Sequence, residues 1–195
     1  MAVNTPQLYT GRLILRKFTA DDIDAIYEIY ADKAANVFLP WHALTKFAQA
    51  EEVYRQKYAQ FYRRRSGYRY AVCHKDGNVP IRYIHLARDD AFDLCYGLRR
   101  PFWGRGIATE ACRAVVDRLK LDGVPFITAT HDVNNPASGA VMKKLGMRYT
   151  YSYREQWQPK NISVLFRMYQ LNFDADIGVF KKYWYMYPEH FIEEI

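Results

Sequence analysis

The stretch with the plainest chemical meaning runs from Asp93 to Ala111 and reads Asp-Leu-Cys-Tyr-Gly-Leu-Arg-Arg-Pro-Phe-Trp-Gly-Arg-Gly-Ile-Ala-Thr-Glu-Ala. Its middle places Gly104, Arg105 and Gly106 immediately before Ile107, Ala108 and Thr109. Glycine allows the backbone to come close to a ligand, and Ala108 is nearly as small. If a helix begins here, its first N–H groups have no intrahelical partner and sit at the positive end of the helix dipole. Together these make an anion site without any basic side chain, and Arg99, Arg100 and Arg105 add positive charge around it. The expected ligand is a pyrophosphate.

The elements that would hold this turn are legible on both sides. Leu94, Tyr96 and Leu98 alternate at strand period. Ala108, Ala111, Cys112, Val115 and Leu119 then form one apolar helical stripe, and Gly123 stands where the helix should stop. The unit is therefore strand, glycine turn, helix. A dinucleotide fold would need G-x-G-x-x-G near the start of its βαβ unit, with an acid about 20 residues later. Here Thr109 stands where the third glycine would be, and the G-x-x-x-x-G-K-[ST] phosphate loop is absent.

Trp103 to Ala111, preceded by Leu94-Cys95-Tyr96-Gly97-Leu98, resembles the acetyl-coenzyme A signature of the GNAT N-acetyltransferases. The branch it resembles most contains the ribosomal-protein alanine N-acetyltransferases (RimJ/RimL-like). Two more segments agree in the family's order: Gly11 to Arg16 with Asp21-Asp22, and Asn135-Pro136-Ala137-Ser138 with Lys144-Leu145-Gly146-Met147. Trp103 departs from the Gln or Arg of the general superfamily pattern, and Cys95 stands where the branch often has glycine. The resemblance implies a mixed α/β GNAT acyl-CoA N-acyltransferase fold, mostly antiparallel sheet with a central parallel pair and helices on both faces. It spans residues 8–172, leaving 173–195 as an aromatic-rich C-terminal extension.

The same resemblance implies acetyl-CoA as cofactor and direct attack by an amine, with no acyl-enzyme. The backbone of Tyr96, Gly97 and Leu98 would hold the pantetheine arm and thioester carbonyl. Gly104, Arg105, Gly106, Ile107, Ala108 and Thr109 would hold the pyrophosphate, and Asn135 would touch the arm. Asp93 matches a position where the family often has a glutamate base, although as a residue it also reads as a turn carboxylate after Asp89-Asp90. His85 on the preceding strand is the alternative base or a packed histidine. Ser138 matches the family serine that protonates the thiolate, or satisfies its own helix backbone. Trp41, in the apolar loop Val37 to His42, borders the acceptor cleft or packs in the core.

Acceptor chemistry sets how much base is needed. An α-amine with pKa about 7.7–8.0 is roughly a tenth neutral at pH 7, whereas a lysine near 10.4 is neutral in only about one molecule in 2,500. A protein α-amine or a small-molecule amine is therefore the expected acceptor.

The rest of the chain bounds these readings. Its 195 residues, 50% hydrophobic and 25% charged, suit one domain with a sizeable core. The net charge of +7 suits a phosphorylated cofactor, and equally RNA or a ribosome surface. A non-catalytic basic protein of the same fold is thus the rival reading, with Arg63, Arg64 and Arg65 as its patch. Three isolated cysteines without C-x-x-C spacing suit core thiols in the cytosol, and no segment reads as a membrane span or secretion signal.

Helices are expected after Thr19 and from Lys46 to Arg65, the latter with Lys57 on its solvated side. Strands follow at 68–74 and 81–86 around Asp76-Gly77-Asn78, then at 125–132, running parallel to the 94–98 strand. Asn135 with Pro136 starts a helix that Gly146 ends, and a hairpin closes the domain. In the extension, Ile177, Phe180, Trp184 and Tyr187 recur at roughly helical spacing, suggesting a helix docked on the domain or on a second copy in a homodimer.

Overall fold

In this computed structural model the described residues are 3–87 and 89–195, with the side chains of Leu98 and Arg100 outside that description. The alternating residues of the first half form an antiparallel sheet in the order β1-β2-β3-β4-β5: Leu8–Tyr9, Leu13–Arg16, Tyr68–His74, Pro80–Leu86 and Leu94–Leu98. The second half adds β6 (Phe126–Asp132), β7 (Arg148–Trp157), β8 (Ile162–Asn172) and β9 (His190–Phe191), in the order β6-β8-β7-β9. The expected central parallel pair is β5 and β6. Among the described residues, its only ladder contact is a parallel bridge from Asp93 to Thr128. The single sheet expected is therefore two sheets hinged at one point, with the opening beyond spanned by side chains.

Helices cover both faces. On one side lies α5 (Ile107–Leu121), whose Ala111, Cys112, Val115 and Leu119 pack with Leu13, Leu15, Ile84 and Leu94 in the larger core. Fully burying a leucine-sized side chain contributes roughly 1.5–3 kcal/mol, so this stripe anchors the glycine turn. Gly123, at φ +77°, ends the helix in a conformation that favours glycine. The helix α6 (Pro136–Lys144) follows β6, with Asn135 as N-cap accepting from Ser138 N at 3.4 Å.

On the opposite face lie α1 (Ile23–Ala31), the short α2 (Lys33–Asn36) and a longer helical segment. Ahead of α1, Thr19 N donates to Asp22 Oδ2 at 2.8 Å, as the Thr-x-x-Asp pattern predicts. The longer segment is shorter than the expected 46–65 and is not uniform. It runs as α3 (Ala48–Val53), a π-helical stretch Tyr54–Ala59, and α4 (Gln60–Tyr62). The wider π turn carries Lys57 off the solvated side and over the rings of Trp41 and Tyr30, at 4.0 and 5.1 Å.

The extension is less helical than its spacing suggests. Ile177 and Phe180 precede the helix in an extended segment, where Gln170 Oε1 accepts from Phe180 N at 2.8 Å. Only α7 (Lys182–Met186) is helical, and after Pro188 the chain pairs as β9 on β7. Tyr153 stacks on Tyr187 and Tyr183, with ring centroids 4.8 and 5.2 Å away. The segment thus docks on its own domain.

Candidate active site

At the hinge, Asp93 carries the backbone bridge, and its carboxylate accepts from Cys95 Sγ at 3.2 Å. Thr128 Oγ1 lies 3.4 Å from its other oxygen. Burial, with the charge of Asp89 in the same direction, pushes Asp93 up to about 6, against the two hydrogen bonds that favour ionisation. A half-buried carboxylate that titrates near neutrality suits a proton acceptor better than an ordinary surface aspartate. Of the two sequence readings of Asp93, the exposed turn does not describe its surroundings.

Cys95, an exposed residue whose thiol is turned to the Asp93 carboxylate, lies on the same face as Asp93. Loss of hydration and the neighbouring Asp93 hold the thiol well above the ordinary cysteine range, so thiolate nucleophilicity is not built in here. In register beside it on β4 stands His85, stacked on Tyr83 at 4.7 Å with Nε2 3.2 Å from Tyr58 Oη. Burial, reinforced by Arg69 and Lys57, lowers His85 well below its ordinary value, so it is neutral at pH 7. Its second neighbour along the row is Arg69 on β3.

Gly97 has a packing reason to be glycine. A Cβ there would meet the Tyr83 ring at 2.5 Å. Glycine at this position therefore makes room for the Tyr83 ring of the neighbouring strand β4.

Across the opening, Tyr96 and Ser138 meet. Ser138 Oγ donates to Tyr96 Oη at 3.0 Å, and Tyr96 Oη donates to the Ser138 carbonyl at 2.9 Å. Burial holds the phenol well above its usual range, so it keeps its proton. The fully buried Arg82 supports the ring, its guanidinium 4.8 Å from the ring centre. The sequence reading assigned Tyr96 only a backbone role. The signal for its side chain was its place on the strand face that points towards the glycine helix.

At the turn, Gly104 and Gly106 have φ of +74° and +72°, the left-handed region that favours glycine. Gly106 is the N-cap of α5 and supplies no side chain to its first N–H groups. The acid in that first turn, Glu110, is taken up by Arg12 at 2.6 Å and Thr10 at 2.5 Å, so its charge is neutralised beside the turn. Gly104, Arg105 and Gly106 are exposed, Ile107 is buried, and Ala108 and Thr109 are half-buried. Arg105 O also accepts from Arg12 Nη1 at 3.1 Å, which fixes the loop. One expected cation is diverted: Arg99 pairs with Glu28 of α1 at 2.8 Å. The backbone of Leu98 lies in β5, while the side chains of Leu98 and Arg100 lie outside the described residues.

The wall facing Asp93 and His85 is aromatic. Trp41 packs with Tyr30 in the second core cluster and lies under the Lys57 ammonium. From the other side, the charges of Asp93, Asp89 and Cys95 all raise the Tyr183 phenol, after burial, so α7 presents Tyr183 towards the hinge. Lys182 fixes that helix to Asp90 at 2.6 Å. The sequence reading missed both Lys57 and Tyr183: one depends on a π turn, the other on contacts between distant segments.

No described helix is long and apolar enough to cross a membrane, and no group of three or more metal-ligating side chains occurs among the described residues.

Residues 12–148 match the acetyltransferase (GNAT) domain family, and the chain belongs to that family. It is thereby an acetyltransferase of the GNAT class. It is 25% identical over 148 residues to the uncharacterized N-acetyltransferase YoaA of Bacillus subtilis (strain 168), covering 73% of this chain and 83% of that one. Its fold is similar to an acetyltransferase (GNAT family) from Bacillus anthracis, with a TM-score of 0.72 at 20% identity over 86% of this chain and 98% of the other. It is also similar to RimL, a ribosomal alpha-N-protein acetyltransferase solved in complex with coenzyme A. That match has a TM-score of 0.70 at 16% identity and covers 88% of this chain and 100% of the other.

Proposed function

We propose that this chain moves an acetyl group from acetyl-CoA to a primary amine, a protein α-amine or a small-molecule amine, by direct attack. The observation that carries this reading is the opening between β5 and β6, with a near-neutral carboxylate at its vertex and a bare helix N-terminus at its mouth. Coenzyme A in the RimL complex is the reason to place that cofactor here. The residues fit it: Gly104 to Thr109 offer backbone N–H groups to the pyrophosphate, and Tyr96 to Leu98 leave a strand edge for the arm.

The reaction joins the amine nitrogen to the thioester carbonyl carbon and breaks the C–S bond. Asp93, directly or through water, takes the amine proton, and the leaving thiolate takes a proton from Tyr96, whose phenolate the Ser138 hydroxyl stabilises by hydrogen bonding until solvent returns the proton. Neutral His85 is the second candidate for the base. Asn135 fixes the start of α6 and hence Ser138.

Titration calorimetry with acetyl-CoA tests the reading. Binding in the micromolar range, about −7 to −8 kcal/mol, is expected for the unaltered protein and not for a folded Gly106→Glu variant, whose acid would oppose the pyrophosphate. Failure of the folded parent protein to bind would overturn it.

A further inference from the structure

We propose that Lys57 and the Trp41 indole N–H form an anion subsite in the acceptor cleft, so that the amine acetylated by this protein carries a carboxylate. The inference rests on the acetyl-transfer reading of that cleft and names the class of its acceptor.

The argument begins with charge. Asp93 faces Cys95, and in register from Cys95 come His85 and Arg69, one on each successive strand of the same sheet face. Directly opposed residues on neighbouring strands lie about 4.5–5.5 Å apart, so an acidic and a basic group stand at two ends of one short row. Above the basic end the π-helical stretch lowers Lys57, whose backbone carbonyl accepts a hydrogen bond from Arg69 Nη1.

Neither cation has an acid. Every ion pair found among the described residues joins other groups, so neither Lys57 nor Arg69 has a carboxylate at salt-bridge distance. Lys57 instead hangs over two aromatic faces, 4.0 Å from the Trp41 ring centre and 5.1 Å from that of Tyr30. The Trp41 Nε1 and Arg69 Nε atoms are buried and lack any hydrogen-bond acceptor. Buried donors are ordinarily paired, so the open Trp41 N–H, with an ammonium that has no acid lying over the same ring, asks for an acceptor from outside the chain, and Arg69 Nε leaves a second buried donor open beside the Lys57 backbone. Burial lowers Lys57, which an anion would reverse.

The ligand must satisfy both ends. Its amine is required at Asp93, where the acetyl group arrives. An oxygen anion is required at Lys57 and Trp41. A carboxylate supplies a charge-assisted bond to the ammonium and a neutral one to the indole N–H. A polyamine would place a second cation beside two unpaired ones, and so fits poorly. The row from Asp93 to Arg69 includes two inter-strand steps of about 5 Å each, so the carboxylate belongs to a small amine whose acid group lies several bonds from the nitrogen, or to an acidic residue just behind a peptide α-amine.

The test measures acetyl transfer across a panel of amino acids. Each is offered as the free acid, as its carboxamide, and as a dipeptide amide with aspartate second. Acetyl-CoA binding is measured beside it. At least one carboxylate-bearing form should exceed its carboxamide by about tenfold or more in kcat/KM. Preference for the free acid identifies a small-molecule acceptor, and preference for the dipeptide a peptide terminus. In Lys57→Met the ratio should fall towards one, and Lys57→Arg should retain it. Circular dichroism checks both folds, and the parent ratio decides alone if a variant does not fold. Equal rates for acid and amide, a ratio that survives in folded Lys57→Met, or cofactor binding without turnover of any carboxylate-bearing form would overturn the inference. Absence of acetyl-CoA binding would instead overturn the reading beneath it.

Discussion

The Asp93 and Thr128 backbones pair in parallel at the vertex where the two sheets meet, and the Thr128 hydroxyl donates to the Ala91 carbonyl at 2.9 Å. The candidate base is therefore built into the hinge rather than carried on a loop. Its position is fixed by strand contacts on both sides, which is the precision that acyl transfer needs.

The first prediction concerns pH. With Asp93 at about 6, kcat/KM for an amine acceptor should fall along an acid limb with an apparent pKa near 6, after correction for the acceptor's own ionisation. Asp93→Asn should remove that limb and lower kcat/KM by about a hundredfold. A pH–rate profile of both proteins checks this. A limb unchanged in the variant would move the base to His85 or elsewhere.

Stability should change in the opposite sense. A carboxylate raised on folding from 3.8 to about 6 costs stability in full above pH 6, and the cost fades as pH falls through 6 and is gone only below about 3.8, where both folded and unfolded states are protonated. Asp93→Asn should therefore stabilise the protein at pH 7.5 by about 1–3 kcal/mol, with no gain near pH 3. Urea melts at the two pH values measure the difference.

Gly97 gives a packing test. Alanine there would drive a methyl group into the ring of Tyr83, which is itself buried and has little room to move. Gly97→Ala should cost about 1–3 kcal/mol, and Tyr83→Leu in the same chain should recover much of it by removing the ring. Thermal melts of the two single variants and the double variant check the coupling.

Tyr96 should matter through its hydroxyl. Tyr96→Phe keeps the ring over Arg82 but removes the proton shared with Ser138. A fall in kcat of about a hundredfold is expected with the Kd for acetyl-CoA unchanged, and a smaller fall for Ser138→Ala. Pre-steady-state acetyl transfer separates this from product release. Equal rates for Tyr96→Phe and the parent would remove Tyr96 from the chemistry.

Much of this site was legible because its signals are local. The turn at Gly104 and Gly106 needed backbone angles that glycine provides, and the α5 stripe repeats within one helix. What escaped depended on the fold. Arg99 read as a cation for the turn until Glu28 of α1 came beside it. Lys57 read as solvated because helical spacing assumes an α-helix, and a single π stretch changes which side it faces. The extension read as a helix because its aromatic spacing is helical, whereas its order comes from Tyr151 and Tyr153 of β7. A separate sheet for the second half could not be read from strand patterns, since alternation is the same in one sheet or two.

The last prediction concerns that extension. Tyr183 stacks on Tyr153 and faces the charges of Asp93 and Cys95, so it stands beside the hinge, where the acceptor is proposed to bind. An aromatic contact of this kind contributes roughly 0.5–1.5 kcal/mol, which corresponds to about a two- to tenfold change in acceptor affinity. Tyr183→Ala should therefore raise KM for the acceptor by about that factor, and Tyr183→Phe should restore it, since the ring supplies the contact. The Kd for acetyl-CoA should stay constant in both. Steady-state kinetics with the acceptor varied, beside calorimetry with the cofactor, reads the two sites separately. If the acceptor KM of a folded Tyr183→Ala protein matches the parent, residues 173–195 serve to complete the β7 edge and the Tyr153 stack, and the acceptor is selected on the Lys57 side alone.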